Sequence, residues 1–197
     1  LTGGVQEIRW GSTAVSQRDR LLSVPGDQRA KVMESFLGAS LMGGFRLRSA
    51  EVGNLEIHDE GLILRYQFDA PQYAKLAGNL MLVRPRVLGV KGDDIMERKE
   101  RKYPIEFPYS RLDTDEYEIT LPPGFKADEL PPPAEMDVGF ARYKSKVEVN
   151  TDVLRYTREF TVRGLRVPME RQDALRKFYR LIAADARHPA VLPRLPQ

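Results

Sequence analysis

The sequence predicts an α+β protein, mainly antiparallel β with sandwich-like sheets, in which two amphipathic helices pack against the sheets. Several segments alternate apolar and polar residues with a period of two, which is the pattern of a strand with one buried face. Two segments instead repeat apolar residues at spacings of three and four, which is the pattern of a helix with one buried stripe. Turn-forming residues separate these segments, so strands and helices share the chain.

The first half of the chain is predicted to contain a strand and then a helix. Residues 5–10 form a short strand candidate, and the helical pattern begins near Asp27, whose charge suits a helix N-terminus. The pattern ends at Gly43-Gly44. The apolar stripe of this helix consists of Val32, Met33, Phe36, Leu37 and Leu41.

Three strand candidates follow this helix. Residues 45–57 and 62–68 are predicted to pair as a hairpin, because residues 58–61 between them have the composition of a turn. Residues 79–88 form another candidate, in which Pro85 favours a sheet edge or a break.

The second half contains the most regular pair of strands. Residues 141–149 and 154–162 both alternate and are joined by turn residues 150–152, so they are predicted to form an antiparallel hairpin. Arg158 lies on the apolar face of the second strand, where we expect it near the rim or paired with an acid. Residues 117–121 alternate as a further strand.

The second helix is predicted to start at Pro168, a favoured first position for proline, and to end at His188-Pro189. Residues 190–192 have the apolar character of a short final strand. The buried stripe of the helix consists of Leu175, Phe178, Tyr179, Ile182 and Ala186.

A change in composition near residue 92 predicts a domain boundary. Gly92-Asp93-Asp94 and the charged run at residues 97–102 separate two β-rich halves. We expect a β-rich subdomain with one helix at residues 1–92, and a sandwich-like subdomain with the C-terminal helix at residues 93–197. The alternative is a single continuous sandwich.

Composition narrows the classes of function. The net charge of +3 is small and the basic residues are mixed with acids, so we expect no nucleic-acid partner. No run reaches the roughly 20 apolar residues of a membrane span. The chain has no cysteine to form a disulfide, act as a nucleophile or bind a metal. Because it opens with Leu1, we expect a fragment or a processed product.

Charge is segregated in the second half. Residues 113–137 are mostly acidic and residues 155–187 are mostly basic. The favoured interpretation is that the two segments complement each other within one domain or are simply solvated. The alternative is a bipolar docking surface for a partner.

No catalytic residue, metal site or cofactor is predicted. The two histidines, His58 and His188, stand in a turn and after a helix, without a nucleophile elbow, so we expect both at the surface. Adjacent acids such as Asp93-Asp94 cannot easily converge on one ion. An enzyme that uses carboxylates from distant strands stays open as an alternative.

Aromatic residues near the strands have two interpretations. The favoured one places Trp10, Tyr103, Tyr109 and Tyr117 in the core. The alternative places them on a sheet face, where they stack on a sugar or a peptide.

Several short motifs occur in a characteristic order. They are Tyr66-Gln67-Phe68-Asp69-Ala70-Pro71-Gln72-Tyr73, Arg101-Lys102-Tyr103-Pro104, Leu121-Pro122-Pro123-Gly124-Phe125 and Leu175-Arg176-Lys177-Phe178-Tyr179. In this order they resemble the C-terminal region of bacterial multidomain proteins that carry a transglutaminase-like domain upstream. The resemblance implies an exported protein, and therefore a periplasmic or extracellular location.

The resemblance also implies a function. The Cys-His-Asp machinery of such proteins lies upstream, and no residue of this chain matches it. We expect a non-catalytic accessory module that docks on the upstream transglutaminase-like domain of the same polypeptide or positions its substrate. The alternative is a free-standing β module that binds a peptide or a glycan.

Overall fold

The computed structural model describes residues 1–38, 45–88 and 103–196. The chain divides into two compact units, Leu1–Tyr73 and Ala74–Gln197. Antiparallel sheets dominate and α-helices accompany them, so the predicted α+β class is confirmed. The predicted boundary between residues 92 and 93 falls outside the described residues.

The first unit contains a three-stranded antiparallel sheet with the order β1–β3–β2. Strand β1 is Thr2–Arg9, β2 is Arg46–Gly53 and β3 is Leu62–Asp69. The pairing of β2 with β3 confirms the predicted hairpin. The alternation of β3 is also confirmed, because its apolar face is buried at Leu62, Leu64, Tyr66 and Phe68.

Two α-helices belong to this unit. Helix α1 is Gly11–Leu22, and helix α2 is Arg29–Gly38, preceded by a 3-10 turn at Gly26–Gln28. Met33 and Leu37 of α2 are buried, as its apolar pattern predicts. Val32 and Phe36 are half-buried, whereas Leu41 and the predicted stop at Gly43-Gly44 lie outside the described residues.

Helix α1 is a third helix that the sequence pattern does not predict. Its buried face is Ala14, Gln17, Arg18 and Leu21, which has helical spacing but is polar at two of four positions. The Arg18 guanidinium donates to the carbonyl oxygens of Asn54, Ile57 and Glu60 at 3.1, 2.8 and 2.6 Å. These hydrogen bonds offset the cost of removing a cation from water. The buried face of α1 is therefore stabilised by a tertiary contact and not by an apolar stripe.

The second unit contains a small sheet and a larger one. Strands β4 (Lys75–Ala77), β5 (Leu80–Val83) and β12 (Ala190–Pro193) pair in the order β12–β5–β4. The final strand matches the prediction for residues 190–192, and β5 lies within the candidate at residues 79–88. Strand β4 was not predicted, since it has only three residues.

The larger sheet has four antiparallel strands in the order β7–β10–β9–β8. They are β7 (Arg111–Thr120), β8 (Ala134–Asp137), β9 (Ala141–Asn150) and β10 (Val153–Val162). Asn150 lies opposite Val153, so a two-residue turn joins β9 to β10 and the predicted hairpin is confirmed. Thr151 in that turn has a φ of +55°.

Helix α3 covers the inner face of this sheet. It spans Gln172–Asp185 and follows Pro168 and a 3-10 turn at Met169–Arg171. All five residues of its predicted stripe are buried, and all but Ala186 belong to a core cluster that also includes Tyr143 and Phe160. A short ribbon of β6 (Ile105–Glu106) and β11 (Arg166–Val167) adds to the same core. Within the described ranges, no helix has the length and apolar character needed to cross a membrane.

Candidate functional site

The most exposed apolar feature of the first unit is formed by Ile8 and Trp10, whose exposed fractions are 52% and 64%. Both side chains lie against Gly61. A Cβ at position 61 would come within 2.8 Å of Ile8 Cγ2 and of Trp10 Cε2 and Cζ2. The glycine therefore allows the two side chains to approach its backbone closely.

Strand pairing adds a third apolar residue. Ile8 of β1 lies directly opposite Ile63 of β3, and opposite residues in an antiparallel pair share a face. Ile63 is half-buried. We call Ile8, Trp10, Gly61 and Ile63 the Ile8–Trp10 surface.

Local backbone geometry places Trp10 outside the sheet. It follows the last residue of β1 and precedes α1, and Thr13 Oγ1 donates to its carbonyl oxygen at 2.9 Å. Gly11 has a φ of +57°, a conformation that glycine adopts readily, and this residue redirects the chain from strand to helix. The tryptophan is thus held by its backbone while its ring faces solvent.

The expectation that the aromatic residues lie in the core is wrong for three of them. Trp10 and Tyr109 are exposed, and so is Tyr103, at 79%. Tyr117 is half-buried and stacks on Tyr156 with ring centroids 6.1 Å apart. Trp10 lies beyond the end of β1, where the period-two pattern no longer assigns a face.

A signal for the Ile8–Trp10 surface was present in the sequence. Val5 and Ile8 are three residues apart, so they lie on opposite faces of a strand. Val5 is half-buried and Ile8 is exposed. An apolar residue out of phase with its strand is therefore the clue that sequence reasoning did not use.

The second unit contains a buried polar cluster of Tyr143, Tyr156 and Asp185. The Tyr143 hydroxyl donates to Asp185 Oδ2 at 2.5 Å, and the Tyr156 hydroxyl lies 3.4 Å from both that oxygen and the Tyr143 hydroxyl. Burial and the Asp185 hydrogen bond raise the pKa of Tyr143 to about 12. Burial also raises the pKa of Tyr156. Both hydroxyls stay protonated near neutral pH and tie the end of α3 to β9 and β10.

Arg158 is paired with acids on the inner face of the four-stranded sheet. Pairing with an acid was one of the two alternatives that the sequence predicted for it. Its guanidinium lies 2.5 Å from Asp115 Oδ2 and 3.6 Å from Asp113 Oδ2. Burial lowers the pKa of Arg158, but the charge and hydrogen bond of Asp115 outweigh that effect and the net shift is upward. The arginine therefore stays charged inside the sheet.

Cross-strand ion pairs explain the segregated charges. Arg155 of β10 pairs with Glu116 of β7 at 2.5 Å, and Arg163, just beyond the end of β10, pairs with Asp137 of β8 at 3.3 Å. Together with the Arg158 pairs, they join the acidic segment to the basic one in the four-stranded sheet and at its border. The interpretation that the two segments complement each other is confirmed for these residues.

The remaining chemical candidates lie at the surface. His58 and His188 are exposed, as expected. The Arg142 side chain lowers the pKa of Glu135, and the Gly139 backbone N–H lowers the pKa of Asp137. In the part of the chain that the structure describes, no group of three His, Asp or Glu residues is arranged to hold a metal ion.

Residues 80–192 match a family model described as a domain of unknown function with a solved structure, DUF3858. The match covers more than half of the 197 residues and lies within the second unit. It includes the four-stranded sheet, the buried polar cluster and α3. No curated protein and no solved structure matches the chain.

Proposed function

Because the chain belongs to the DUF3858 family of domains of unknown function, we propose that it is a non-catalytic accessory module of a longer, exported protein. Its partner is an upstream transglutaminase-like domain of the same polypeptide, on which it docks or for which it positions substrate. The order of the short motifs supports this assignment, and with it a periplasmic or extracellular location. The observation that carries the docking role is the Ile8–Trp10 surface.

The size and exposure of this surface suit a protein interface. Tryptophan is enriched among the residues that contribute most to binding, above all where it enters a dry interface centre. Covering Trp10 removes on the order of 100 Å² of apolar surface from water, which contributes about 2.5 kcal/mol. Ile8 and Ile63 lie on the adjoining sheet face and extend the apolar area.

The composition of the exposed residues favours a protein partner. The large hydrophobic side chains exposed in the described part of the first unit are Ile8, Trp10, Val15, Leu22 and Ile57. A platform for sugars relies on clustered aromatic rings, whereas Trp10 is the one aromatic residue in this set. An aliphatic surface gains chiefly from exclusion of water, which a protein partner supplies over a wide area.

The second candidate function is a free-standing module that binds a peptide or a glycan. The exposed Trp10 ring is the observation that favours it, because a ring face can stack on a sugar or on an extended peptide. Trp10 is the only tryptophan in the chain, so its fluorescence reports contact at this surface directly.

Calorimetric titration of this chain with the separately produced upstream domain tests the docking role. We expect saturable binding that Trp10→Ala and Ile8→Ser both weaken by about tenfold or more, since 1.4 kcal/mol corresponds to tenfold. Leu76→Ala is the matched control, because Leu76 is 67% exposed and lies in the second unit. It should bind like the unaltered chain.

Two outcomes would contradict docking through this surface. One is the absence of binding by a chain that circular dichroism shows to be folded. The other is binding that Trp10→Ala and Leu76→Ala leave equally unchanged. A shift of Trp10 fluorescence on titration with oligosaccharides or peptides, in the absence of binding to the upstream domain, would support the second candidate instead.

A further inference from the structure

Strand β7 forms one edge of the four-stranded sheet of the second unit. It has ten residues, which corresponds to roughly 34 Å of extended chain, and in the described part of the molecule its backbone pairs with β10 alone. In an antiparallel ladder, alternate residues direct their N–H and C=O groups away from the neighbouring strand. Half of the β7 backbone groups therefore face the open edge.

The charges along β7 are mostly negative. The strand carries four acids against one arginine, Arg111: Asp113, Asp115, Glu116 and Glu118. The two aspartates face inward, where Asp115 pairs with Arg158 and Asp113 pairs with Arg111 at 2.6 Å and lies 3.6 Å from Arg158. Glu116 and Glu118 are exposed on the outer face, where Glu116 pairs with Arg155. Glu118 lies directly opposite Arg155 in the ladder but forms no ion pair among the described residues, so two acids share one arginine and the outer rim of this edge keeps a negative charge.

This charge pattern disfavours pairing of β7 with a second copy of itself. Consider two β7 strands related by a two-fold axis that keeps the inner faces on one side of the joint sheet. The residue on the axis then lies opposite its own copy, and the residues on either side of it lie opposite each other. Centred on residues 115, 116 or 117, this arrangement places Asp115 opposite Asp115, Glu116 opposite Glu116, or Glu116 opposite Glu118. Like charges directly opposite each other destabilise a sheet, and charged edges are a known protection against aggregation.

We propose that β7 is the docking strand for an extended, basic segment of a partner protein, which adds to the sheet as a fifth strand. Main-chain hydrogen bonds to the open groups of β7 give the affinity of such an addition. Lysine or arginine side chains two positions apart then lie on the outer face, beside Glu116 and Glu118. The alternate side chains of the added segment point to the inner face of the sheet, beside Tyr117 and Ile119 of β7. Small or apolar residues fit at these positions.

The probe for this inference is a labelled peptide, acetyl-Thr-Val-Lys-Val-Lys-Val-Thr-amide. Fluorescence anisotropy measures its binding to the whole chain, and amide hydrogen exchange followed by NMR locates it. We expect saturable binding and slowed exchange at alternate amides of β7. A peptide with glutamate in place of both lysines should bind at least tenfold more weakly, as should a lysine peptide with N-methyl groups on its central backbone.

A pair of matched variants separates charge at the edge from charge elsewhere. Glu118→Lys should weaken binding by about tenfold, equivalent to about 1.4 kcal/mol. Glu170→Lys, at an exposed position in the turn before α3, should leave it unchanged. Both substitutions are on the surface, so circular dichroism should show an intact fold.

The inference is overturned if the lysine peptide does not bind, or if it binds without protecting β7 amides. It is equally overturned if the N-methylated peptide binds as well as the unmodified one, because charge alone then explains the contact. Equal effects of Glu118→Lys and Glu170→Lys would also refute it. This test is independent of the upstream domain, so its failure leaves the role of the Ile8–Trp10 surface untouched.

Discussion

Replacing Tyr143 with phenylalanine isolates the contribution of one buried hydroxyl. The side chain is fully buried, so the ring keeps its packing while the hydrogen bond to Asp185 is lost. Hydrogen bonds to charged groups contribute about 1.5–3 kcal/mol. Asp185 retains a longer contact with Tyr156 at 3.4 Å, which compensates in part. We therefore expect Tyr143→Phe to lower the free energy of unfolding by about 2 kcal/mol at pH 7.

The same substitution changes the response to alkaline pH. An unfolded tyrosine ionises near pH 10, whereas in the folded chain the pKa of Tyr143 is raised to about 12. A raised pKa means that the folded state holds the proton more tightly than the unfolded state. The stability that Tyr143 contributes through this difference is therefore complete below pH 10 and is lost as the pH rises toward 12. Each pH unit between 10 and 12 removes about 1.4 kcal/mol, so the unaltered chain loses about 1.4 kcal/mol of this contribution by pH 11, and the variant lacks that loss.

Urea unfolding between pH 7 and pH 11, followed by circular dichroism, measures both effects. The control is Tyr103→Phe, because the Tyr103 side chain is largely exposed and only its backbone carbonyl accepts a bond from Gln172. The control should match the unaltered chain at every pH. The reasoning fails if Tyr143→Phe is as stable as the control at pH 7, or if its stability falls with the unaltered slope above pH 10.

Three further substitutions test the interior. Arg158→Met removes the cation between two partly buried aspartates and should lower the free energy of unfolding by about 2 kcal/mol. Arg155→Met, at an exposed ion pair, should lower it by less than about 1 kcal/mol. Equal losses for the two variants in urea unfolding would contradict this reasoning. Gly61→Ala should displace the apolar side chains above it and shift tryptophan fluorescence, whereas Gly26→Ala, with open space around it, should not; identical spectra would refute the close approach. Arg18→Met leaves three carbonyl oxygens without their donor and should destabilise the first unit by about 2–3 kcal/mol in fluorescence-detected unfolding; a loss below about 0.5 kcal/mol would show that water replaces the guanidinium.

Much of the second unit was predictable because its local patterns agree with its final packing. The β9–β10 hairpin has period-two alternation on both strands and a turn of suitable composition between them. Helix α3 has a strong apolar stripe from Leu175 to Ala186, and every residue of that stripe is buried. Even Arg158, the one charged residue on the apolar face of β10, was expected to find an acid if it did not lie at the rim.

The candidate surfaces were harder to predict because they depend on contacts between distant residues. The Ile8–Trp10 surface exists because Gly61, some fifty positions away, allows a close approach. The open edge of β7 follows from strand order, since β10 pairs with both β7 and β9 and leaves β7 outermost. Period-two alternation identifies the face of a strand but says nothing about its neighbours.

The sequence by itself determined the fold class, the β9–β10 hairpin, the buried stripe of α3 and the family to which residues 80–192 belong. The first three rest on local periodicity, and the family rests on the match of residues 80–192 to the family model. Tertiary structure decided helix α1, the exposure of Trp10 and the acidic open edge of β7. The physical reason is that burial of a polar residue such as Arg18 depends on carbonyl oxygens of residues 54–60, which accept its hydrogen bonds. The fold brings these oxygens to Arg18, and the local sequence pattern carries no record of them.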